Sequence, residues 1–506
     1  MKKNILIFHL YPFRPHVDYA KFLADNLKKS HNLITLRCFN NFSNCYYKLL
    51  KGKGIATCLK CNIYSNPFED LYLPKIKKGP NRDYKKSLVS AIASSKRLES
   101  TAQIAKFFEN NQNFVANYNN DLNEAKRSFL QILNERKIDF VWGFNGRMDH
   151  TNIFFKTCKE EGVPFISFEY PWFGNGINLI ANEDCLSLKV YHHLNQKFGH
   201  RPLTNDQCSL AFRYANNRFK KIMDVEWRDF SKLKSYRSES RYKILILPSS
   251  RSEFEGHDDY VSRWGHCTEG FKSVIDELGI HSSDVYIQFH PIWFQEINKI
   301  KGEHHVRFYA KWAKKNRFNI LSSSEVFESK DLISKSDIIL INGSSAALEA
   351  GLMGKKIINV DLNKYTYSGV TIDIFDKNEL LNLKGRIGKH DTQNVRRSTL
   401  RFFYTIMFRI NSLERDVIVE SSTKVKFTRS DRLPLLEKYM EIATEGQFII
   451  NDKTFGEENE EGEDKFIEMI FNKESGREDP ACDPSAWKSY NRTLNYFRSL
   501  FRKGDL

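Results

Sequence analysis

Apolar and polar positions along the chain run through the same pattern twice. Asn4-Ile5-Leu6-Ile7-Phe8 is a short, nearly continuous apolar run, the mark of a strand buried on both faces. A helical stretch over 19–29 and a second strand, Leu33-Ile34-Thr35-Leu36, complete a βαβ opening. Residues 66–86 are rich in Pro, Lys and Asn and read as a loop. From 86 to 137 apolar residues recur at helical spacing, among them Ile104, Phe107, Phe108, Leu122, Phe129 and Ile132. The strand Phe140–Phe144 then ends in Asn145-Gly146-Arg147, a helix runs to Glu161, and Phe165–Glu169 is the next strand. Such alternation predicts an open parallel sheet.

The charged, aliphatic-poor stretch 228–242 reads as a linker, and beyond it the pattern restarts. Lys243–Leu247 is a new first strand, followed by a helix over 268–278, a strand over 285–289 and a helix over 306–316. A strand over 338–341, a helix over 346–353 and a strand over 356–360 close the second round. Past about 395 the chain turns helical and then loses its period; 457–464 is an acidic, low-complexity loop. Near the C-terminus Trp487, Tyr490, Leu494, Phe497 and Phe501 recur at three- and four-residue steps, with Lys488, Arg492, Arg502 and Lys503 on another flank. That helix suits either an anionic membrane surface or its own domain. The expected fold class is therefore α/β, with two Rossmann-like doubly wound domains facing a cleft. Residues 1–227 form the first domain with a Cys-containing insertion at 38–61, 228–242 the linker, 243–395 the second domain, and 396–506 a helical extension.

A chain of 506 residues fits two or three such domains, and 41% hydrophobic with 13% aromatic content excludes a disordered or fibrous protein. No apolar run approaches the roughly 18 residues of a membrane span. The basic and then apolar start resembles a signal peptide, but Tyr11-Pro12-Phe13-Arg14-Pro15 interrupts it early, so a cytoplasmic location is expected. The net charge of +16 is spread along the chain, with no aromatic RNA-binding signature and no paired Cys/His finger. Nucleic acid is therefore not an expected partner; an anionic membrane surface or phosphorylated small molecules account for the charge equally well. Of the nine cysteines, Cys38, Cys45, Cys58 and Cys61 cluster, the last two as C-x2-C. They suit a structural zinc, or plain reduced thiols in a loop-rich insertion.

Three stretches carry candidate chemistry. In Ser336–Ala350 an apolar strand ends in Asn342-Gly343-Ser344-Ser345 and passes directly into an alanine-rich helix. Small residues there let a phosphate reach free backbone N–H groups, with Ser344 and Ser345 as hydroxyl donors; serine is equally an ordinary helix cap. Glu349, one turn on, suits a ribose hydroxyl or solvent. His290-Pro291 closes the strand over 285–289 and suits donation to a phosphate oxygen or protonation of a leaving phosphate. Pro248-Ser249-Ser250-Arg251 follows the second round's first strand and offers hydroxyls and a guanidinium to a diphosphate, or is simply a turn.

Taken together, His290-Pro291, Asp337 through Gly351 with its paired serines, and Gly354-Lys355-Lys356 resemble the donor half of GT-B glycosyltransferases of capsule and lipopolysaccharide assembly. The similarity extends to the Kdo transferases and, through the HP and paired-serine motifs, to bacterial sialyltransferases. It covers about 243–370 well and the first half loosely. It implies that His290, Ser344 and Ser345 hold the phosphate of a CMP-activated sugar such as CMP-Kdo; Ser249, Arg251, Gly343 and Glu349, read from their own stretches, are expected to line the same nucleotide site. Teichoic acid glycerophosphotransferases have a similar serine turn, so a CDP-polyol phosphotransferase is the rival enzyme and a non-catalytic scaffold subunit the rival outside catalysis. The first domain would then hold a glycan or glycolipid acceptor. Asn145 and Arg147 are candidate acceptor-binding residues, and Asp149 and Glu169 candidate bases or nucleophiles beside His290. No Asp-x-Asp metal motif stands out, so no catalytic cofactor is expected, and the enzyme is expected at the inner face of a membrane.

Overall fold

The computed structural model describes residues 2–38, 40–52, 54–64, 71–74, 76, 79–219, 241–297, 300–321, 328–414, 416–421, 423–429, 431–448 and 459–472. The βαβ opening is present: β1 (Asn4–Phe8), α1 (His16–Leu27) and β2 (Asn32–Arg37). The stretch 38–72 then forms α2 (Tyr46–Lys51), α3 (Ile55–Tyr64) and the short β3 (Leu71–Tyr72). The helical region is α4 (Lys85–Lys96), α5 (Thr101–Asn110) and α6 (Gln112–Glu135). After it come β4 (Phe140–Phe144), α7 (Asp149–Glu161), β5 (Phe165–Glu169), β6 (Ile177–Ala181), α8 (Leu188–Phe198) and α9 (Asn205–Phe219).

The second round runs β7 (Tyr242–Leu247), α10 (Cys267–Leu278), β8 (Val285–Ile287), a small hairpin β9 (Glu296–Ile297) and β10 (Ile300–Lys301), α11 (Glu303–Lys315) and β11 (Asn319–Ile320). It continues through α12 (Ser329–Ser334), β12 (Ser336–Ile341), α13 (Ala346–Leu352), β13 (Lys356–Asn359), β14 (Ile372–Asp373), α14 (Leu383–Lys389) and α15 (Thr392–Tyr404). The remainder is β15 (Asn411–Ser412), the hairpin β16 (Val417–Ser421) and β17 (Lys424–Phe427), α16 (Leu433–Thr444) and α17 (Glu460–Asn472).

Both sheets share one strand order. The first reads β3-β2-β1-β4-β5-β6 and the second β11-β8-β7-β12-β13-β14, the doubly wound order in each case. Pairing is parallel throughout the second sheet and from β3 to β5 in the first, where β6 turns antiparallel. Covered by helices, Ile5 to Phe8 and Ile244 to Ile246 are almost wholly buried, as near-continuous apolar strands require. In each sheet the order reverses beside the first strand, between β1 and β4 and between β7 and β12. A crevice opens there at the carboxyl ends. Two such domains facing each other are the GT-B architecture. Among the described residues no helix is long and apolar enough to cross a membrane.

The chain after 395 does not stand apart as an extension. α15 packs on α9 and α13, so closely that a Cβ on Gly351 would lie 2.1 Å from Thr399 Oγ1. β15 then pairs with β6, Asn411 opposite Asn178, and α16 packs on β5, β6 and α1, which returns the chain to the first domain. A two-residue strand has no period to read, so only the fold reveals the return. The acidic stretch 457–464 is no loop either where it is described, because Glu460–Asp464 opens α17. Carboxylates suit a helix's first turn, and Glu463, fully buried, accepts from the Arg401 guanidinium and from Leu203 N (2.9 Å), while Asp464 pairs with Arg397 at 2.6 Å. Most of the 228–242 linker and the aromatic helix at 487–501 lie outside the described residues.

Arg401→Ala leaves the Glu463 carboxylate buried without its cation, and a cost of about 3–5 kcal/mol is expected. Urea denaturation checks it. The double change Arg401→Met with Glu463→Leu should recover most of the loss.

Candidate active site

On the second domain, three adjoining strand ends form one wall. β8, β7 and β12 lie side by side and lead into His290, Ser249-Ser250 and Asn342-Gly343-Ser344-Ser345. The Asn342 side chain clamps β7 to β12, accepting from Ser249 N at 2.7 Å and donating to Ser249 O at 3.3 Å. Ser250 Oγ accepts from Trp293 Nε1 at 2.7 Å, which ties the β7 end to the turn after His290. His290 Nδ1 accepts from Ile292 N (3.3 Å) and caps that turn. A neutral His290 therefore carries its proton on Nε2, as a donor.

Gly343 has φ +109°, the left-handed turn that swings the chain from β12 into α13, and a Cβ there would sit 3.3 Å from Asn363 Cβ. Ser344 is buried, with its hydroxyl near Ala346 N (3.4 Å) and its carbonyl accepting from Tyr365 OH (3.1 Å). Ser345 is half-buried and makes no side-chain cap to α13, so the ordinary capping role does not account for it. Two further side chains on this wall have partners within the protein. Glu349 accepts from Ser329 Oγ at 2.7 Å on α12, a partner inside the domain. The Arg251 guanidinium pairs with Glu255 at 3.0 Å; burial would lower its pKa, but Glu255 and then Asp361 outweigh that and raise it. Its Nη2 is thus paired within the protein, while its buried Nη1 makes no hydrogen bond among the described residues.

Facing this wall is the carboxyl edge of the first sheet. Glu169 ends β5 and accepts from His16 Nε2, from Asn145 Nδ2 and from Tyr170 N (2.8 Å). Burial pushes its carboxyl up, yet His16, Asn145 and the Tyr170 amide more than compensate and hold it below the usual carboxylate range. Asn145, left-handed at φ +61°, also receives Arg147 N on its Oδ1 at 2.8 Å, so it orients Glu169. Lys364 follows β13 on the other domain, with its ammonium 4.6 Å from the Trp172 ring centroid and 4.8 Å from that of Tyr191. Burial pulls its pKa down to about 8, opposed first by the Glu169 carboxylate, so the two residues sense each other across the domain boundary.

Asp149 and Arg147 belong elsewhere. Asp149, fully buried at the start of α7, accepts from Tyr11 OH, from Tyr118 OH (2.6 Å) and from Tyr46 N (2.6 Å), with His150 Nδ1 at 3.1 Å. It anchors four segments of the first domain and does not reach the cleft. Arg147 is buried and spans the domains, donating to the Glu253 carbonyl and to Ser94 Oγ (3.3 Å). Cys38, Cys45, Cys58 and Cys61 are free thiols lining one cavity with Tyr11, Lys48 and His150. Among the described residues no three His, Cys, Asp or Glu side chains are grouped to hold a metal ion.

Sequence reading missed His16, Lys364 and Glu99. His16 had a signal available, since it opens the helix after the first strand, where a doubly wound sheet places ligand-facing residues. Lys364 follows β13 in a turn without period. Glu99, from the loop after α4, is wholly buried against the second domain, accepting from His305 Nδ1, Tyr309 OH (3.0 Å) and Arg251 N (3.2 Å). Arg97 reinforces this contact by donating to the carbonyls of Ile292 (2.6 Å) and Gln295 (2.8 Å). A second clamp is Asp184 with His257 at 3.0 Å.

No protein-family model and no curated protein sequence matches the chain. Among solved structures it is similar to a Thermosulfurimonas dismutans KpsC described as a beta Kdo 2,4 transferase, at 15% identity and TM-score 0.35, over 62% of this chain and 93% of that one. It is also similar to the Methanocaldococcus jannaschii UDP-GlcNAc 2-epimerase in complex with UDP-GlcNAc and UDP, at 11% identity and TM-score 0.28, over 81% and 100% of the two chains. A third is the Streptomyces sp. SF2575 glycosyltransferase SsfS6 complexed with thymidine diphosphate, at 10% identity and TM-score 0.23, over 79% and 95%.

Asp149→Asn replaces a carboxylate facing hydroxyl and amide donors with a group that is half donor, and a loss of about 3 kcal/mol or more is expected in chemical denaturation. Surviving folded protein should still bind ligand. The Asp184–His257 clamp has a definite pH sign. Burial lowers the His257 pKa, but Asp184 outweighs it and the net shift is upward. The pair's stabilisation is therefore full below the ordinary histidine value of 6.5 and fades as pH rises through the higher folded value. The stability gap between wild type and Asp184→Asn should be wider at pH 6 than at pH 9.

Proposed function

We propose that this chain is a glycosyltransferase that moves a sugar from a nucleotide-activated donor to a surface polysaccharide or lipopolysaccharide acceptor, with a CMP-sugar such as CMP-Kdo as the favoured donor. One observation carries the reading: the crevices of the two sheets face each other, with His290, Ser249 and Ser345 at one and an ionised Glu169, oriented by His16 and Asn145, at the other. The HP and paired-serine resemblance supports a phosphate at the first wall, and the placement of Glu169 supports an acceptor hydroxyl at the second.

In the inverting form of this scheme Glu169 takes the acceptor hydroxyl's proton as that oxygen bonds to the anomeric carbon. The bond from that carbon to the phosphate oxygen breaks, and its electron pair leaves on the nucleotide. His290 Nε2–H donates to the departing phosphate, and Lys364, with a pKa of about 8, is still largely an ammonium at neutral pH and balances the charge that develops. A retaining course would instead use Glu169 as nucleophile. A cytoplasmic enzyme at the inner face of a membrane, meeting a glycan or glycolipid acceptor there, belongs to the same proposal.

Thermal-shift measurements with CMP, CDP, UDP, GDP and ADP test the donor side. A ligand at ~100 times its Kd adds about 2.7 kcal/mol. CMP should stabilise the wild type and lose its effect in Ser345→Ala; a CDP preference would favour the polyol-phosphate reaction instead. Glu169→Gln should keep the nucleotide shift and lower transfer ~10²–10⁴-fold. Nucleotide binding without any product in the wild type would leave a scaffold.

A further inference from the structure

α3 buries one side and leaves the other open. Cys58, Cys61 and Thr57 line the cavity beneath it, and Asn62 O accepts from Arg37 Nη2 at 2.7 Å, which fastens the helix to the end of β2. On the outer side Ile55, Leu59 and Ile63 follow at four-residue steps and are 73%, 56% and 70% exposed. They make up three of the eight large hydrophobic side chains exposed among the described residues, and they form one stripe. Lys60 is exposed on the flank of that stripe, and Lys51, at the end of α2, is exposed four residues before Ile55.

We infer that this face of α3 docks the protein on an anionic phospholipid surface. Aliphatic residues along one side of a short helix with lysines at its border are the composition of an interfacial helix, whose apolar face enters the headgroup boundary while its cations meet lipid phosphates. The chain's net charge of +16 has the same sign as the border. A second copy of the chain fits less well: the helix has ten residues and is about 15 Å long, too short by itself to supply the ~800 Å² per partner of a standard interface. Position adds a reason. α3 is fastened to the carboxyl end of β2, and Cys61 Sγ reaches Leu10 O (3.7 Å) in the segment that leads to His16, so the stripe lies on the sheet edge that also carries Glu169. A docked protein would hold that edge at the lipid surface, where a lipid-linked hydroxyl is within reach.

The inference stands apart from the reaction proposed above, because docking is read without nucleotide or acceptor. Full-length protein is floated with vesicles rich in phosphatidylglycerol and with vesicles of phosphatidylcholine alone, and amide hydrogen exchange is followed over 55–64. Binding to the anionic vesicles only, with slowed exchange in that helix, is expected. Ile55→Ser/Leu59→Ser/Ile63→Ser should weaken partitioning at least about ten-fold. Lys51→Gln/Lys60→Gln should weaken it about five-fold per lysine and flatten its salt dependence. Since all five side chains are exposed, both variants should melt as the wild type does. Unchanged exchange over 55–64 on binding, or wild-type partitioning by the triple variant, overturns the proposal and moves any membrane contact elsewhere, the 487–501 segment included. So does a wild type that ignores vesicles and self-associates through this face, shown by light scattering that falls to monomer in the triple variant.

Discussion

Both sheets are parallel where they matter and covered by helices on both faces, and everything else follows from that burial. A strand hidden on two sides can present chemistry only at its ends, since any polar side chain along it would need a partner inside the core. The doubly wound order then selects which ends: beside β1 in one sheet and β7 in the other, neighbouring connections leave toward opposite faces and a gap opens. His16 and Asn145 flank the first gap, and Ser249 and Ser345 the second. The composition of those four turns differs, but their location is a consequence of topology.

Two rigid domains do not make a site unless something holds them in register, and here that task falls on polar groups buried at the boundary. Glu99 is the most committed: it leaves its own domain and is received by His305, Tyr309 and the Arg251 amide of the other. Arg97, Arg147 and Asp184 add directional bonds around it. Directional contacts of this kind constrain orientation more than apolar packing does, because a small rotation breaks hydrogen bonds whose partners are already out of water. The returning C-terminal segment adds a covalent tie, with α15 in one core and α16 in the other.

The contrast between Asp149 and Glu169 shows how far a sequence reaches toward function. Both lie at or just past the end of a strand of the first sheet, and both are acidic beside polar neighbours. Five residues of strand and turn separate their fates: Glu169 is the last residue of its strand and stays at the edge, whereas Asp149 begins the next helix and turns back among Tyr11, Tyr46 and Tyr118. No local pattern distinguishes a carboxylate that meets substrate from one that meets three tyrosine segments gathered from across the chain. Nor does any local pattern announce the internal partners of Glu349, which accepts from Ser329, and of Arg251, which pairs with Glu255.

By itself the sequence determined the alternation of strand and helix, the two rounds of it, the glycine-serine turn after β12 and the histidine-proline turn after β8. Each of these is written in neighbouring residues: apolar runs that must be buried, a glycine that accepts a left-handed turn, a proline that stiffens the next step. Tertiary structure alone decided the return of residues 411–444 to the first sheet, the burial of Glu99 in the opposite domain, the meeting of His16 with Glu169, and that of Lys364 with Trp172. Those depend on contacts between residues 150 or more positions apart, whose pairing is settled by which surfaces close together on folding and leaves no periodic trace along the chain.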